Sequence, residues 1–409
     1  MRTIGSLLTM ILAAAMTCAS APHRAAAQAP ASSLKTAPAT LPTVSGTGTS
    51  PAMQADPAAV AAARANFDKV FGEWKQLLSQ LRELRQQYSA EDGLKGEDRN
   101  EIEARYYQLT KDADALLPKL VDAAVESYRA QAGKDNSLAQ FLVEVAHDEF
   151  RRDNYEIASR AASALVDHGV RSQYLFEMAG KSAFHVNDFD AAEKYLTQAV
   201  KAAPPSDARQ FLPLIARQKQ EWLREQKLRA AEAKADDLPR VKIETRYGDI
   251  VIELFENEAP NSVANFISLV EKGFYDGVPF HRVLPGFMGQ TGLKENGIGY
   301  TIHGEVGDEK KYRRHFRGSL SMALKEKQPD SGNSEFFIAF VPTHWLDGQH
   351  TVFGRVIEGM NILSRIQRRD PEKNPPFPGD PIIKATVIRK RNHKYEPQTL
   401  AVPEQRPTP

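Results

Sequence analysis

The spacing of large apolar residues changes once along this chain, near residue 240, and that change divides it into two kinds of structure. Before it, Val60, Phe67, Val70, Trp74, Leu77, Leu81, Leu84 and Tyr88 recur at steps of seven, then three and four, the period of one helical face. After it, Val241-Lys242-Ile243-Glu244-Thr245 and Asp249-Ile250-Val251-Ile252-Glu253-Leu254 alternate at period 2 around a Tyr247-Gly248-Asp249 turn, which predicts a β-hairpin. A chain of 409 residues is also too long for a single core of ordinary size, ~100–200 residues. We expect a multidomain protein, all-α first and all-β after.

The helical part begins at Pro57. The first stripe ends at the polar break Ala90-Glu91-Asp92-Gly93, and Ile102, Tyr106, Leu109, Ala113 and Leu116 continue as a second helix folding back on the first. Then Ala146, Tyr155 and Ala158 recur thirty-four residues later as Gly180, Phe189 and Ala192, followed by Ala199 and Pro204. This spacing resembles the tetratricopeptide repeat, with Phe176 where that repeat usually carries tryptophan. Small residues let two antiparallel helices approach, and the aromatic fills the gap between them. Two copies are too few to stand alone, so the hairpin before them and residues 208–235 are expected to cap the stack. The module has two open roles: a surface that docks clients or a protein partner, or a spacer or dimerisation stalk. Residues 218–235 are mostly Arg, Lys, Glu, Gln and Ala, the composition of a solvated helix with i,i+4 charge pairs. The expected boundaries are thus a helical hairpin plus repeats at 57–235 and a linker at 236–240.

Residues 1–29 are laid out as a secretory signal peptide: Arg2, an apolar run from Leu7 to Ala15, then Ala19-Ser20-Ala21 and Ala27-Gln28-Ala29. The run is far shorter than the ~20 residues of a spanning helix. We expect export, periplasmic or secreted, with no stable membrane span after cleavage. Cys18, the single cysteine, lies in this segment, and the residues before it fit a lipidation site poorly. Residues 30–56, rich in Ala, Pro, Ser and Thr, are expected to be a disordered tether, and 393–409 a disordered tail. Lys and Arg total 53 against 52 Asp and Glu, so no charge excess points to nucleic acid.

Beyond the hairpin, Asn261 to Lys272 reads as a helix with Val263, Phe266, Ile267 and Val270 on one face. Short strands and glycine turns follow, the pattern of an antiparallel sheet or a closed barrel. Four ordered blocks then narrow the reading: Ala259-Pro260-Asn261-Ser262-Val263-Ala264-Asn265-Phe266, Phe280-His281-Arg282-Val283-Leu284-Pro285-Gly286-Phe287-Met288-Gly289-Gln290, Ser334-Glu335-Phe336-Phe337-Ile338, and Trp345-Leu346-Asp347-Gly348-Gln349-His350-Thr351-Val352-Phe353-Gly354. Together they resemble a cyclophilin-type peptidyl-prolyl cis-trans isomerase over 241–392. The resemblance implies an eight-stranded closed barrel capped by two helices, isomerase activity on proline-containing segments of client proteins, and neither cofactor nor metal.

That reaction sets its own requirements. An X-Pro bond isomerises in ~10–100 s behind a barrier of ~20 kcal/mol set by amide resonance. An apolar pocket disfavours the charge-separated resonance form, and a cation that donates to the prolyl nitrogen stabilises the twisted state. By resemblance, Arg282 is that cation and Gln290 orients it. Phe287, Met288, Phe337 and Leu346 form the proline pocket, Trp345 and His350 its rim, and Ala323 with Leu324 grips the substrate backbone. His281 and His344 are expected to be structural.

Three positions depart from the family pattern. Thr291-Gly292-Leu293 replaces Gly-Gly-Asp, Leu324 replaces a polar residue, and Glu335 stands where glutamine is usual. Glu335 would put a carboxylate beside Arg282 and Gln290 and favour a basic residue ahead of the proline. The leading expectation is an exported folding helper; the alternative is a non-catalytic scaffold that binds proline peptides on the same fold.

Overall fold

The computed structural model describes residues 56–90, 96–202, 206–307, 309 and 312–401. The expected signal peptide, all of the tether but its last residue, and residues 402–409 of the tail lie outside these. Two compact units divide the chain between Lys219 and Gln220.

In the first unit, α1 (Pro57–Ala90) and α2 (Gly96–Ala130) pack along one another. Ala63, Phe67, Trp74, Leu78, Leu81 and Leu84 form the buried stripe of α1, with Leu78 rather than Leu77 turned inward. The second helix runs farther than its first stripe indicates. It continues through Pro118, whose ring breaks one backbone bond, because Leu117, Leu120, Val121, Ala124 and Tyr128 are all buried beyond or beside it.

Four shorter helices follow: α3 (Asn136–Arg151), α4 (Tyr155–Asp167), α5 (Gln173–His185) and α6 (Phe189–Ala202). Asp135 caps α3 by accepting from the backbone of Ser137 and Leu138. The thirty-four-residue spacing is visible in the backbone, since Asp153 (φ 63°) and Asn187 (φ 66°) turn left-handed at equivalent points, each just before its buried aromatic, Tyr155 or Phe189. At Gly180 a Cβ would lie 2.6 Å from Leu196 Cγ. Only glycine lets α5 and α6 come that close.

Helix α7 (Leu212–Ala235) supplies residues to both units, so the division falls inside a helix rather than at 236–240. Nor is its second half simply solvated. The i,i+4 pair Arg229–Glu225 is present at 2.8 Å, but Glu225 and Glu232 are buried. The expected linker is packed too: Leu238 is buried, and the Pro239 carbonyl accepts from Leu254 N at 2.9 Å.

The second unit holds β1 (Arg240–Thr245), β2 (Gly248–Leu254), α8 (Pro260–Glu271), β3 (Arg282–Leu284), β4 (Met288–Thr291), β5 (Tyr300–Thr301), β6 (Ser319–Met322), β7 (Phe336–Ala339), β8 (Val352–Glu358), α9 (Met360–Leu363), β9 (Lys384–Arg389) and β10 (Leu400–Ala401). Eight strands form one antiparallel sheet in the order β3-β4-β7-β6-β8-β2-β1-β9. Its inner face and α8 share a core of Val241, Ile243, Ile250, Ile252, Phe266, Ile338 and Phe353.

The closed barrel is corrected to an open half-barrel, because β3 and β9 do not pair. The edge of β3 is covered instead by the proline-rich segment after α9: Val283 and Arg369 exchange backbone bonds of 2.7 and 2.8 Å, and Phe280 N donates to the Asp380 carbonyl at 2.9 Å. Prolines 371, 375, 376, 378 and 381 lack the N–H that a ladder needs, so this segment bridges at isolated points rather than as a strand. The tail expectation is corrected through residue 401. Leu400 pairs with Thr301, and buried Tyr395 donates to Glu256 Oε2 at 2.8 Å. No described helix is long and apolar enough to cross a membrane.

Candidate active site

Strand register assembles the site. Arg282 lies opposite Gln290, Gln290 opposite Phe337, and Phe337 opposite Ser321. Directly opposed residues share a face, so these four form one row across β3, β4, β7 and β6. Their neighbours Val283, Ile338 and Leu320 alternate to the other face and are fully buried in the core. Alternation thus turns the row away from the core.

Around the row stand the aromatic groups. Phe287 and Trp345 are tilted at 31° with centroids 5.9 Å apart, and Trp345 and Leu346 sit on the short turn His344–Leu346. Phe337 meets His350 edge-on at 5.6 Å, and His350 Nδ1 lies 2.9 Å from the Met322 carbonyl. Met288 and Phe337 are buried while Phe287, Trp345 and Leu346 are half-buried, leaving an apolar wall with an open side. Ala323 is half-buried, its N–H donating to the Glu335 carbonyl at 3.0 Å. Leu324 packs against the core, so its side chain serves the fold.

Arg282 is half-buried, and its guanidinium carbon lies 5.7 Å from the Phe287 ring centroid. Among the described residues no hydrogen bond or ion pair engages it. Burial lowers its pKa from the ordinary arginine value, against the fields of Asp370 and Glu372. Gln290 does not reach it: its amide nitrogen donates to Glu335 Oε2 at 3.0 Å. Burial raises the Glu335 pKa above the usual carboxylate value, although Gln290 and Lys325 oppose this. His281 Nε2 lies 3.5 Å from the same carboxylate oxygen. Burial, then Arg369 and Arg282, drive the His281 pKa down to about 4, so this contact is of a neutral ring. Burial also lowers His350, with the Met322 bond opposing and His315 adding to the fall.

The loop at the first departure is tied down as well. Gly292 has φ 93°, and a Cβ there would lie 2.2 Å from the Ser334 carbonyl oxygen. Ser334 Oγ donates to the Gly292 carbonyl at 2.8 Å. Among the described residues no group of three His, Cys, Asp or Glu is placed to hold a metal ion.

Residues 240–387 match the family described as cyclophilin type peptidyl-prolyl cis-trans isomerase. A Helicobacter pylori peptidyl-prolyl cis-trans isomerase is 40% identical over 152 residues, which is 35% of this chain and 91% of that one. A Schizosaccharomyces pombe isomerase is 37% identical over 158 residues, covering 37% of this chain and all of its own length. This chain belongs to that family. A solved cyclophilin of Cryptosporidium parvum is 31% identical, with a TM-score of 0.33, over 38% of this chain and 99% of that one.

Within the cyclophilin domain, one contributor escaped sequence reasoning. His315 stacks on Phe337 with centroids 6.0 Å apart and planes at 5°. Its Nδ1 lies 2.8 Å from Asp347 Oδ1 and its Nε2 3.0 Å from Ser321 Oγ. A lone histidine among arginines carries no spacing signal.

Proposed function

We propose that this cyclophilin turns X-Pro bonds by donating from Arg282 to the prolyl nitrogen while the ring rests against Met288, Phe337, Phe287 and Leu346. The observation that carries this is the unengaged guanidinium beside an apolar wall. A cation bound to a carboxylate would have to break that bond first, whereas Arg282 keeps its donors for a substrate. Burial strengthens the field it exerts on the developing lone pair. Trp345 and His350 border the pocket, and the Ala323 region meets the flanking peptide backbone. Gln290 acts through Glu335, presenting that carboxylate to the residue ahead of the proline.

The test is the isomerisation rate of a proline tetrapeptide with the full chain and its Arg282→Ala variant. A charge-assisted hydrogen bond contributes ~1.5–3 kcal/mol, so turnover is expected to fall about 10–150-fold at 1.36 kcal/mol per decade. Turnover unchanged by the substitution removes the arginine's role. No turnover in either protein leaves the proline-binding scaffold.

We further propose that the protein is exported and that its helical unit docks clients or an assembly partner, raising the local concentration of proline segments at the site. The signal-peptide layout and the repeated helix pairs support this. N-terminal sequencing of the protein from the cell envelope should find residues 1–21 or 1–29 removed, and an intact N-terminus would count against export.

A further inference from the structure

Helix α7 lies outside the matched residues 240–387, yet its residues from Gln220 onward belong to the same compact unit as the sheet. Its side chains grip the segment 313–316. Glu225 holds Arg313 through two bonds, Nε to Oε2 at 3.0 Å and Nη2 to Oε1 at 2.8 Å. Glu232 accepts from Arg313 Nη1 as well, and from Arg355 Nη1 at 2.6 Å. Glu221 accepts from Arg314 Nε and Nη2 at 3.1 and 3.2 Å. Trp222 meets Phe316 edge-on at 4.9 Å.

Three of four consecutive residues are therefore held by the helix, and the fourth is His315. Its side chain is fully buried and faces the site, where it stacks on Phe337 and bonds both Ser321 and Asp347. Asp347 follows the turn that carries Trp345 and Leu346, and its Oδ1 also accepts from His315 N at 2.9 Å. One short segment thus ties α7 to two walls of the pocket.

We infer that Glu221, Trp222, Glu225 and Glu232 of α7 are positioning residues for the proline pocket, acting through 313–316 and His315 on Phe337 and the 344–347 turn. The alternative is a staple that holds the unit together without setting the pocket. The two differ in what a mild change at the helix does to a site it does not touch. Pocket geometry is sensitive because displacements of about 1 Å away from the chemistry can cost on the order of a hundredfold in rate.

The experiment uses the full chain with ¹³C-labelled histidines and the variants Trp222→Ala, Trp222→Phe and Glu221→Gln, each assayed below its melting temperature. We expect Trp222→Ala to raise KM for a proline tetrapeptide by roughly fivefold or more, with the smaller change in kcat. The His315 ring resonances should shift with it, and Trp222→Phe should restore both. Glu221→Gln should shift the same resonances to a lesser extent, and it reads the same coupling if Trp222→Ala does not fold. Unchanged His315 resonances together with kcat/KM within about twofold of the parent would overturn the inference. It rests on Phe337 lining the proline pocket, but the resonance readout needs no turnover. A protein inactive at Arg282 and a helix uncoupled from the pocket therefore give different results.

Discussion

Arg313 and Arg282 are the same side chain in two opposite settings. Arg313 is fully buried, bonded by Glu225 and Glu232, and has its guanidinium carbon 3.7 Å from the Phe255 ring centroid. Arg282 is half-buried over one aromatic ring with no bonded partner among the described residues. The groups around them differ in the same sense. Burial pushes Glu225 up, but Arg313 and Arg229 more than offset this and hold its carboxyl below the usual range, so it stays ionised beside its cation. Around Arg282, His281 is held neutral and Glu335 is pushed toward protonation. Arg313 commits all three of its guanidinium nitrogens to bonds within the fold, whereas Arg282 has no hydrogen bond or ion pair among the described residues.

Substitution at Arg313 should break the first setting most. Arg313→Ala leaves buried Glu225 with Arg229 and buried Glu232 with Arg355 as their remaining bonded cations, and removing one partner from a buried ion network typically costs about 3–5 kcal/mol, read by denaturant unfolding of the full chain. A loss below ~1 kcal/mol would mean that water reaches those carboxylates.

Acid should break the second setting next. With a folded pKa of about 4 against an ordinary 6.5, His281 takes up a proton in the unfolded chain before the folded one. Its contribution is present above pH 6.5 and is lost as pH falls from there toward 4, by up to about 3 kcal/mol. The difference in unfolding free energy between parent and His281→Asn, followed from pH 7 down, measures it. A flat difference would show that the ring is protonated in the fold.

Arg282→Ala sharpens the contrast, since it should lower turnover about 10–150-fold while unfolding free energy stays within about 0.5 kcal/mol. Parallel losses in both quantities would make Arg282 a second structural arginine. The smallest effect belongs to Glu335→Gln. A partly exposed ion pair contributes ~0.2–1 kcal/mol, so preference for a basic residue ahead of the proline should fall by up to about fivefold across a peptide panel. In the parent that preference should be present when Glu335 is ionised and fade as pH falls through its raised pKa. An unchanged panel would remove its role in selection.

Much of this was legible in the chain. The Val241–Leu254 hairpin, the Val263-Phe266-Ile267-Val270 face of α8 and the thirty-four-residue spacing are local patterns. Each is written by side-chain period and turn chemistry within a few residues. Arg282, Phe287, Phe337, Trp345 and His350 were named from short motifs, and the strand register brings Arg282 and Phe337 into one row. Other features were invisible because their partners are remote. Glu225 and Glu232 read as a solvated helix face until Arg313, eighty-eight and eighty-one residues on, is placed against them. The tail to Ala401 read as loose because its polar residues give no hint of β5 or of Glu256.

By itself the sequence determined where period 3.6 gives way to period 2, which faces are apolar, and which motifs match the isomerase family, since backbone geometry repeats over a few residues wherever it occurs. Only the tertiary structure decided that the sheet stays open at β3, that residues 220–235 of α7 belong with it, and which of two arginines has no hydrogen bond or ion pair among the described residues. Those outcomes depend on the charge and hydrogen-bonding groups that folding brings within about 3 Å of one another, and chain spacing carries no record of that distance.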